Sequence, residues 1–216
     1  MKQFALLALV GLAAANTNAD DTTHIFNTDD QWKTGFVTVD DYNDDIFYWV
    51  FQSRNVPSTD PLVLWLTGGP GCASEVALFF ENGPYQFTSS TDSTIKSNPY
   101  SWNTSANLLY VDQPIGTGYS KGGRHDARNE TEVAQDMAVM LKGFLEQNPE
   151  YEGRDFFITG ESYAGHYVPA IAYELLTEAT DVKLNLKGIA IGNGLTDPFA
   201  QYPAYATFSY ENNLIS

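Results

Sequence analysis

Cysteine is almost missing from this chain: Cys72 is the only one in 216 residues. It has nothing to pair with here, so either its partner is missing or it is a buried thiol. Basic residues are scarce too, 11 Lys and Arg against 27 Asp and Glu, for a net charge of -16. That balance argues against nucleic acid or an anionic membrane as a partner. It fits a secreted or lysosomal-type protein, although a solvated acidic surface alone would look the same. Beyond the first residues no apolar run is long enough to cross a membrane. Repeats and low-complexity tracts are absent, as are a metal-ligand cluster and a phosphate loop, so no metal and no organic cofactor is implied. Histidine occurs three times, and none follows His166.

Aromatic residues are plentiful, and the length suits one domain with a sizeable core or a large part of a bigger one. At the N-terminus, Lys2 is followed by the apolar run Phe4-Ala5-Leu6-Leu7-Ala8-Leu9-Val10-Gly11-Leu12 and then by small residues. This pattern predicts a secretory signal peptide over residues 1–19, cleaved after Ala15 or Ala19; the competing reading is a membrane anchor. Residues 20–216 then form the folded part. The sequons at Asn103 and Asn129 agree with the secretory route and mark two expected glycosylation sites.

Residues 35–39 and 46–51 read as strands flanking an acidic turn, an antiparallel hairpin. Residues 62–66, 107–111, 156–159 and 188–191 are near-continuous apolar runs, as strands buried on both faces require. Between them, Val133, Met137, Met140, Leu141 and Phe144 fall at helical spacing, with Pro149 beyond their end. A second helical pattern covers 163–178. Strands alternating with helices predict an α/β fold, a mostly parallel sheet with helices on both faces.

The last two patterns meet at Gly160-Glu161-Ser162-Tyr163-Ala164-Gly165. A strand, then Gly-x-Ser-x-small, then a helix is the context of a nucleophile elbow, in which small neighbours let the backbone fold back and lift the serine Oγ clear of the sheet. The blander alternative is a serine helix cap on a glycine-eased turn. A serine at its free pKa is a weak nucleophile and needs an oxyanion hole and a base. Thr67-Gly68-Gly69-Pro70-Gly71 follows the strand at 62–66, where an α/β-hydrolase carries its oxyanion loop. The N–H groups of Gly69 and of Tyr163 are the expected donors. The base is not His166, which lies one helical turn beyond the serine and is aimed away from it. His24 and His125 sit in polar stretches, and Asp197 precedes Pro198 in a turn; none has a chemical role.

With these motifs the chain resembles the serine carboxypeptidases of the cathepsin A and yeast vacuolar carboxypeptidase type. The resemblance rests on residues 61–72 and 79–84, on Asn98-Pro99-Tyr100-Ser101-Trp102-Asn103, and on residues 107–120, 160–169 and 192–198, in family order. It implies the α/β-hydrolase fold and release of C-terminal residues from peptides through an acyl-enzyme at Ser162. It assigns the grip on the substrate carboxylate to Trp65, Thr67, Glu81 and Glu161. Two glutamates facing a carboxylate require a held proton, so the resemblance implies hydrolysis best at acid pH. Family order also puts the catalytic Asp and His downstream, and the half-cystine partner of Cys72 far downstream. The expectation is therefore the N-terminal portion of such an enzyme, inactive alone, whose remaining partner is the missing C-terminal half, and whose sheet edge is exposed. Asp112, in the Asp-Gln-Pro loop, is expected to fix that loop near the site. One position departs from the family: peptidases usually carry Asn where Thr67 stands. Thr occurs there in plant relatives that act as acyltransferases, but those tend to have Asp before the nucleophile, whereas this chain has Glu161. An acyltransferase and a non-catalytic peptide-binding product are the rival readings.

Overall fold

The computed structural model describes residues 29–39, 43–87, 95–122 and 127–216. The expected leader over 1–19, His24 and His125 lie outside the described residues. Six strands form one sheet: β1 (Trp32–Thr38), β2 (Asp45–Phe51), β3 (Leu62–Leu66), β6 (Asn107–Val111), β7 (Asp155–Glu161) and β8 (Asn185–Gly192). Their spatial order is β1-β2-β6-β3-β7-β8. β1 and β2 pair antiparallel, as the sequence predicts, and β2 also runs antiparallel to β6. From β6 through β3 and β7 to β8 every pairing is parallel. A short hairpin of β4 (Tyr85–Phe87) and β5 (Ile95–Ser97) stands apart from the sheet.

Side chains alternate across a strand, so each strand feeds two cores. Leu62, Leu64 and Leu66 face one side, with Val50, Leu109 and Val111. There they meet Met137, Met140, Leu141 and Phe144 of α2 (Glu130–Gln147) and Tyr167, Val168 and Ile171 of α3 (Ala164–Thr177). Val63 and Trp65 face the other side, with Phe47, Trp49, Phe51, Leu108 and Tyr110. The six-residue α1 (Glu75–Phe80) and the β4–β5 hairpin cover them through Leu78, Phe79 and Tyr85.

The ends of α2 follow from its sequence. Asn129 caps it in an extended conformation, its Oδ1 accepting from the N–H groups of Thr131 and Glu132 at 3.1 Å each, and Asn148-Pro149 stops it. Elsewhere a charged residue organises loops: Arg54 donates to both oxygens of Asp30 at 2.7 and 2.8 Å and to the Asn98 and Pro84 carbonyls.

Asn103 belongs to the same knot. It is fully buried, and its Nδ2 donates to Asp30 Oδ1 at 3.0 Å and to the Gln52 carbonyl at 3.3 Å. A glycan on that nitrogen has no room in this fold, which corrects the expectation at Asn103. Asn129, by contrast, is exposed. Cys72 is an exposed free thiol among the described residues, so it is not a buried one.

Beyond β8 lies α4 (Pro198–Glu211), capped by Asp197, whose Oδ1 accepts from Ala200 N at 3.2 Å. It buries none of its residues. Among the described residues β8 pairs on one side only, with β7.

Candidate active site

The site forms where β3 and β7, neighbours in the sheet, end side by side. β7 passes into α3 through Ser162, whose φ of 59° lies in the left-handed region. A non-glycine residue there costs about 1–3 kcal/mol and persists only where its surroundings over-determine it. Here they do. Ser162 N–H donates to the Gly192 carbonyl at 3.0 Å, and its own carbonyl accepts from Gly165 N at 3.0 Å and Leu195 N at 2.8 Å. The small residues that the motif requires are needed because of contact. A Cβ at Gly160 would lie 2.5 Å from the Leu66 carbonyl oxygen, and one at Gly165 2.6 Å from that of Leu195. Ser162 is exposed, and its hydroxyl makes no hydrogen bond among the described residues. The alternative of a serine helix cap fails, because Tyr163 holds the cap position of α3 and the serine side chain caps nothing.

Across from the elbow, the turn between β3 and α1 approaches it closely. A Cβ at Gly68 would fall 2.4 Å from Tyr163 N, so glycine at this place leaves that N–H uncovered. Gly69 follows with φ of 113°, a conformation for which only glycine is suited. Neither Gly69 N–H nor Tyr163 N–H donates to any described group. Both main-chain donors expected of an oxyanion hole are thus without a described partner.

Gly71 N–H donates to the buried Tyr167 hydroxyl at 3.3 Å, tying the turn to α3, and Tyr163 OH donates to Glu130 Oε1 at 3.1 Å, tying the elbow to the start of α2. The ring of His166 packs edge-on against that of Tyr163, centroids 4.7 Å apart, and makes no hydrogen bond to Ser162. Among the described residues no histidine is therefore in hydrogen-bond contact with Ser162.

The expected carboxylate grip gathers next to the elbow. Trp65 and Thr67 are buried, and Trp65 Nε1 donates to Thr67 Oγ1 at 3.1 Å. The indole occupies one of the two lone pairs of the threonine hydroxyl, whose proton donates to no described group. Glu81 caps the C-terminal end of α1 and Glu161 ends β7, and their carboxyl groups lie beside each other. Partial burial pushes Glu81 above the ordinary glutamate range, and the charge and hydrogen bond of Glu161 push it further. On the other flank of Ser162 an open cleft of about 1040 Å³ is lined by Asn193, Leu195, Gln201, Tyr202 and Tyr205. This aromatic wall, carried largely by α4, is absent from the sequence reading.

A second carboxyl pair also escaped the sequence. Glu75, in the first turn of α1, is buried against Asp112. Burial first, then the Asp112 charge and hydrogen bond, hold the Glu75 carboxyl well above its usual range. Asp112 Oδ1 accepts from Ser74 N–H at 2.9 Å and Oδ2 from Tyr119 N–H at 2.8 Å, so the loop-fixing role expected of it is visible. Helical spacing marks Glu75 as an ordinary first-turn charge, and nothing in one sequence signals its burial.

A strand-to-helix elbow with an exposed serine, on a mainly parallel sheet with helices on both faces, defines an α/β-hydrolase. The family model for serine carboxypeptidases matches residues 24–216, and the chain belongs to that family. It is 49% identical over 175 residues to serine carboxypeptidase 3 of Oryza sativa subsp. japonica, covering 79% of this chain and 34% of that protein. It is 47% identical over 173 residues to carboxypeptidase Y homolog A of Ajellomyces dermatitidis, with 80% and 31% covered. The solved structure of a prohormone-processing carboxypeptidase from Saccharomyces cerevisiae superimposes with a TM-score of 0.78 at 30% identity, over 86% of this chain and 43% of that one. The chain therefore spans about a third of the length of the curated relatives it matches. Among the described residues no helix is long and apolar enough to cross a membrane, and no group of side chains is suited to hold a metal ion.

Proposed function

We propose that this chain carries the nucleophile, oxyanion donors and carboxylate anchor of a serine carboxypeptidase acting on peptide C-termini at acid pH. Ser162 attacks the last peptide carbonyl, and the N–H groups of Gly69 and Tyr163 stabilise the resulting oxyanion. The terminal carboxylate is held by Thr67, with Trp65 orienting its hydroxyl, and by the Glu81–Glu161 pair. The observation that carries this reading is the pairing of the Glu81 carboxyl with that of Glu161, the residue before Ser162. A protonated carboxyl donates to a carboxylate ligand, and an ionised one repels it.

The acid and base come from outside the described residues, on a C-terminal polypeptide half that pairs with this one. We expect the chain alone to hydrolyse peptides negligibly, since a serine without its base loses most of its reactivity. The apolar run at 4–12 and the exposed sequon at Asn129 support a secretory route, extracellular or lysosomal/vacuolar, and Cys72 is free to bond a partner thiol.

The test compares a blocked dipeptide with its C-terminal amide across pH. Preference for the free acid at low pH, made independent of pH by Glu81→Gln together with Glu161→Gln, is expected; equal binding of acid and amide would overturn the anchor. A second reading, an acyltransferase of the same family, draws on the hydroxyl at Thr67. It predicts transfer from an activated ester to an alcohol in preference to dipeptide hydrolysis.

A further inference from the structure

The turn that carries the oxyanion donor has no secondary structure of its own between Thr67 and Ser74. What fixes it lies beneath. Thr67 N–H donates to Ser74 Oγ at 3.4 Å, Ser74 Oγ donates to the Val111 carbonyl at 2.7 Å, and Ser74 N–H donates to Asp112 Oδ1. The same Asp112 takes Tyr119 N–H on its other oxygen, while its main-chain carbonyl takes the Ser120 hydroxyl at 2.5 Å. Glycine is required at 118, where a Cβ would fall 1.9 Å from Asp112 Oδ2. Apart from Trp65 Nε1 on Thr67 Oγ1, the side-chain struts that tie the turn to the sheet pass through residue 74 or its aspartate. Glu75 closes the arrangement from the helix side, 2% exposed, with its carboxyl on that of Asp112.

We infer that Glu75 and Asp112 share one proton and act as positioning residues for the oxyanion turn, Glu75 donating to the Asp112 carboxylate that holds Ser74. Two ionised carboxylates in one buried site repel each other, and among the described residues no Lys or Arg side chain is bonded to either. Glu75 Oε2 is buried and has no donor to accept from, which suits a neutral acid and not a carboxylate. Asp112 already receives two main-chain N–H groups, so the charge rests on it and the proton on Glu75. Burial and the aspartate hold Glu75 above its ordinary value of 4.5. Tyr119, the other titratable group facing the pair, is pushed up to about 12 and stays neutral throughout the working range.

The sign follows. A raised folded pKa makes the contribution of Glu75 complete below its ordinary value of 4.5 and removes it as pH climbs through the raised one. Loss of that proton leaves two negative carboxyls under Ser74 and loosens the turn that aims Gly69. The acid preference proposed above for substrate binding thus has a second origin, in the oxyanion hole itself. This inference rests on the hydrolase reading of Ser162.

Hydrogen exchange of the intact chain, followed by mass spectrometry and corrected for the intrinsic pH dependence, tests it without needing turnover. In the wild type, protection of the peptides covering 67–74 should fall by about tenfold or more from low to high pH, in step with the Glu75 titration, while α2 keeps its protection. Glu75→Gln keeps a donor for Asp112 at every pH and should make protection of the turn flat; Glu75→Leu should lose it at every pH. If the leucine variant does not fold, the glutamine variant decides alone. Parallel pH profiles for wild type and Glu75→Gln, or loss spread equally over α2, would overturn the inference. If the hydrolase reading is the part at fault, the exchange pattern persists while a fluorophosphonate fails to label Ser162 even when a base-bearing partner half is supplied.

Discussion

The centre of the sheet and its β8 edge both contain apolar runs and fare differently. β3 and β6 are buried at every residue, locked between α1 on one face and α2 and α3 on the other. β8, with Leu186, Ile189 and Ile191, has no fully buried residue, and α4 leaves Phe199, Tyr202, Tyr205, Phe208 and Tyr210 exposed, Phe199 at 93%. Composition therefore says what could be buried, and only cover says what is. Ser162 sits on the line between the two regions: the turn after β3 approaches it from the interlocked one, and its aromatic cleft belongs to the open one.

Substitutions should separate the regions by the size of their effect. The largest is expected at Phe144→Ala, which empties the core under α2 and should cost about 3–5 kcal/mol in urea unfolding. Gly68→Ala comes next. Its methyl meets Tyr163 N, so about 1–3 kcal/mol of overpacking should accompany loss of Ser162 labelling by an activated phosphonate in the paired enzyme. Thr67→Val preserves shape but strips Trp65 Nε1 of its acceptor, a loss of about 1–3 kcal/mol together with weaker binding of free-acid peptides. The carboxyl pair at the anchor should show in pH dependence. Glu81 is raised above its ordinary 4.5, so its proton, and the grip on a free-acid peptide, disappear as pH rises through the raised value. Glu81→Gln should flatten that profile in a titration of binding. The smallest effect is expected in the open region, where Phe208→Ala should change stability by no more than about 0.5 kcal/mol. A loss there comparable to that of Phe144→Ala would erase the contrast altogether.

Much of the interlocked region could be read in advance because its signals are local. The runs at 62–66 and 107–111 and the helix at 130–147 coincide with observed elements, and the elbow lies at the end of β7 as the glycine spacing requires. β1 runs from Trp32 to Thr38, three residues earlier than expected at its start, since pairing with β2 extends the strand past its apolar part. What escaped depends on contacts between distant segments. The short β4–β5 hairpin and the six-residue α1 are too brief for a periodic pattern. Glu75 reads as a surface charge until Asp112 arrives from 37 positions away. Asn103 fails for the same reason, because a three-residue sequon cannot report that Asp30 and Gln52 will close over the amide.

The left-handed backbone of Ser162 also bears on the choice of an inert control. Replacing it with alanine removes the hydroxyl but keeps a Cβ where the chain tolerates one poorly, whereas glycine removes the hydroxyl and relaxes the bend together. Any protein caught in the silent form for ligand trapping will thus differ from the parent in stiffness as well as in reactivity. Of the two silent forms, the glycine one should unfold later wherever the strain outweighs the extra freedom glycine gives the unfolded chain. That ordering turns a routine knockout pair into a gauge of how tightly the fold grips its own reactive serine.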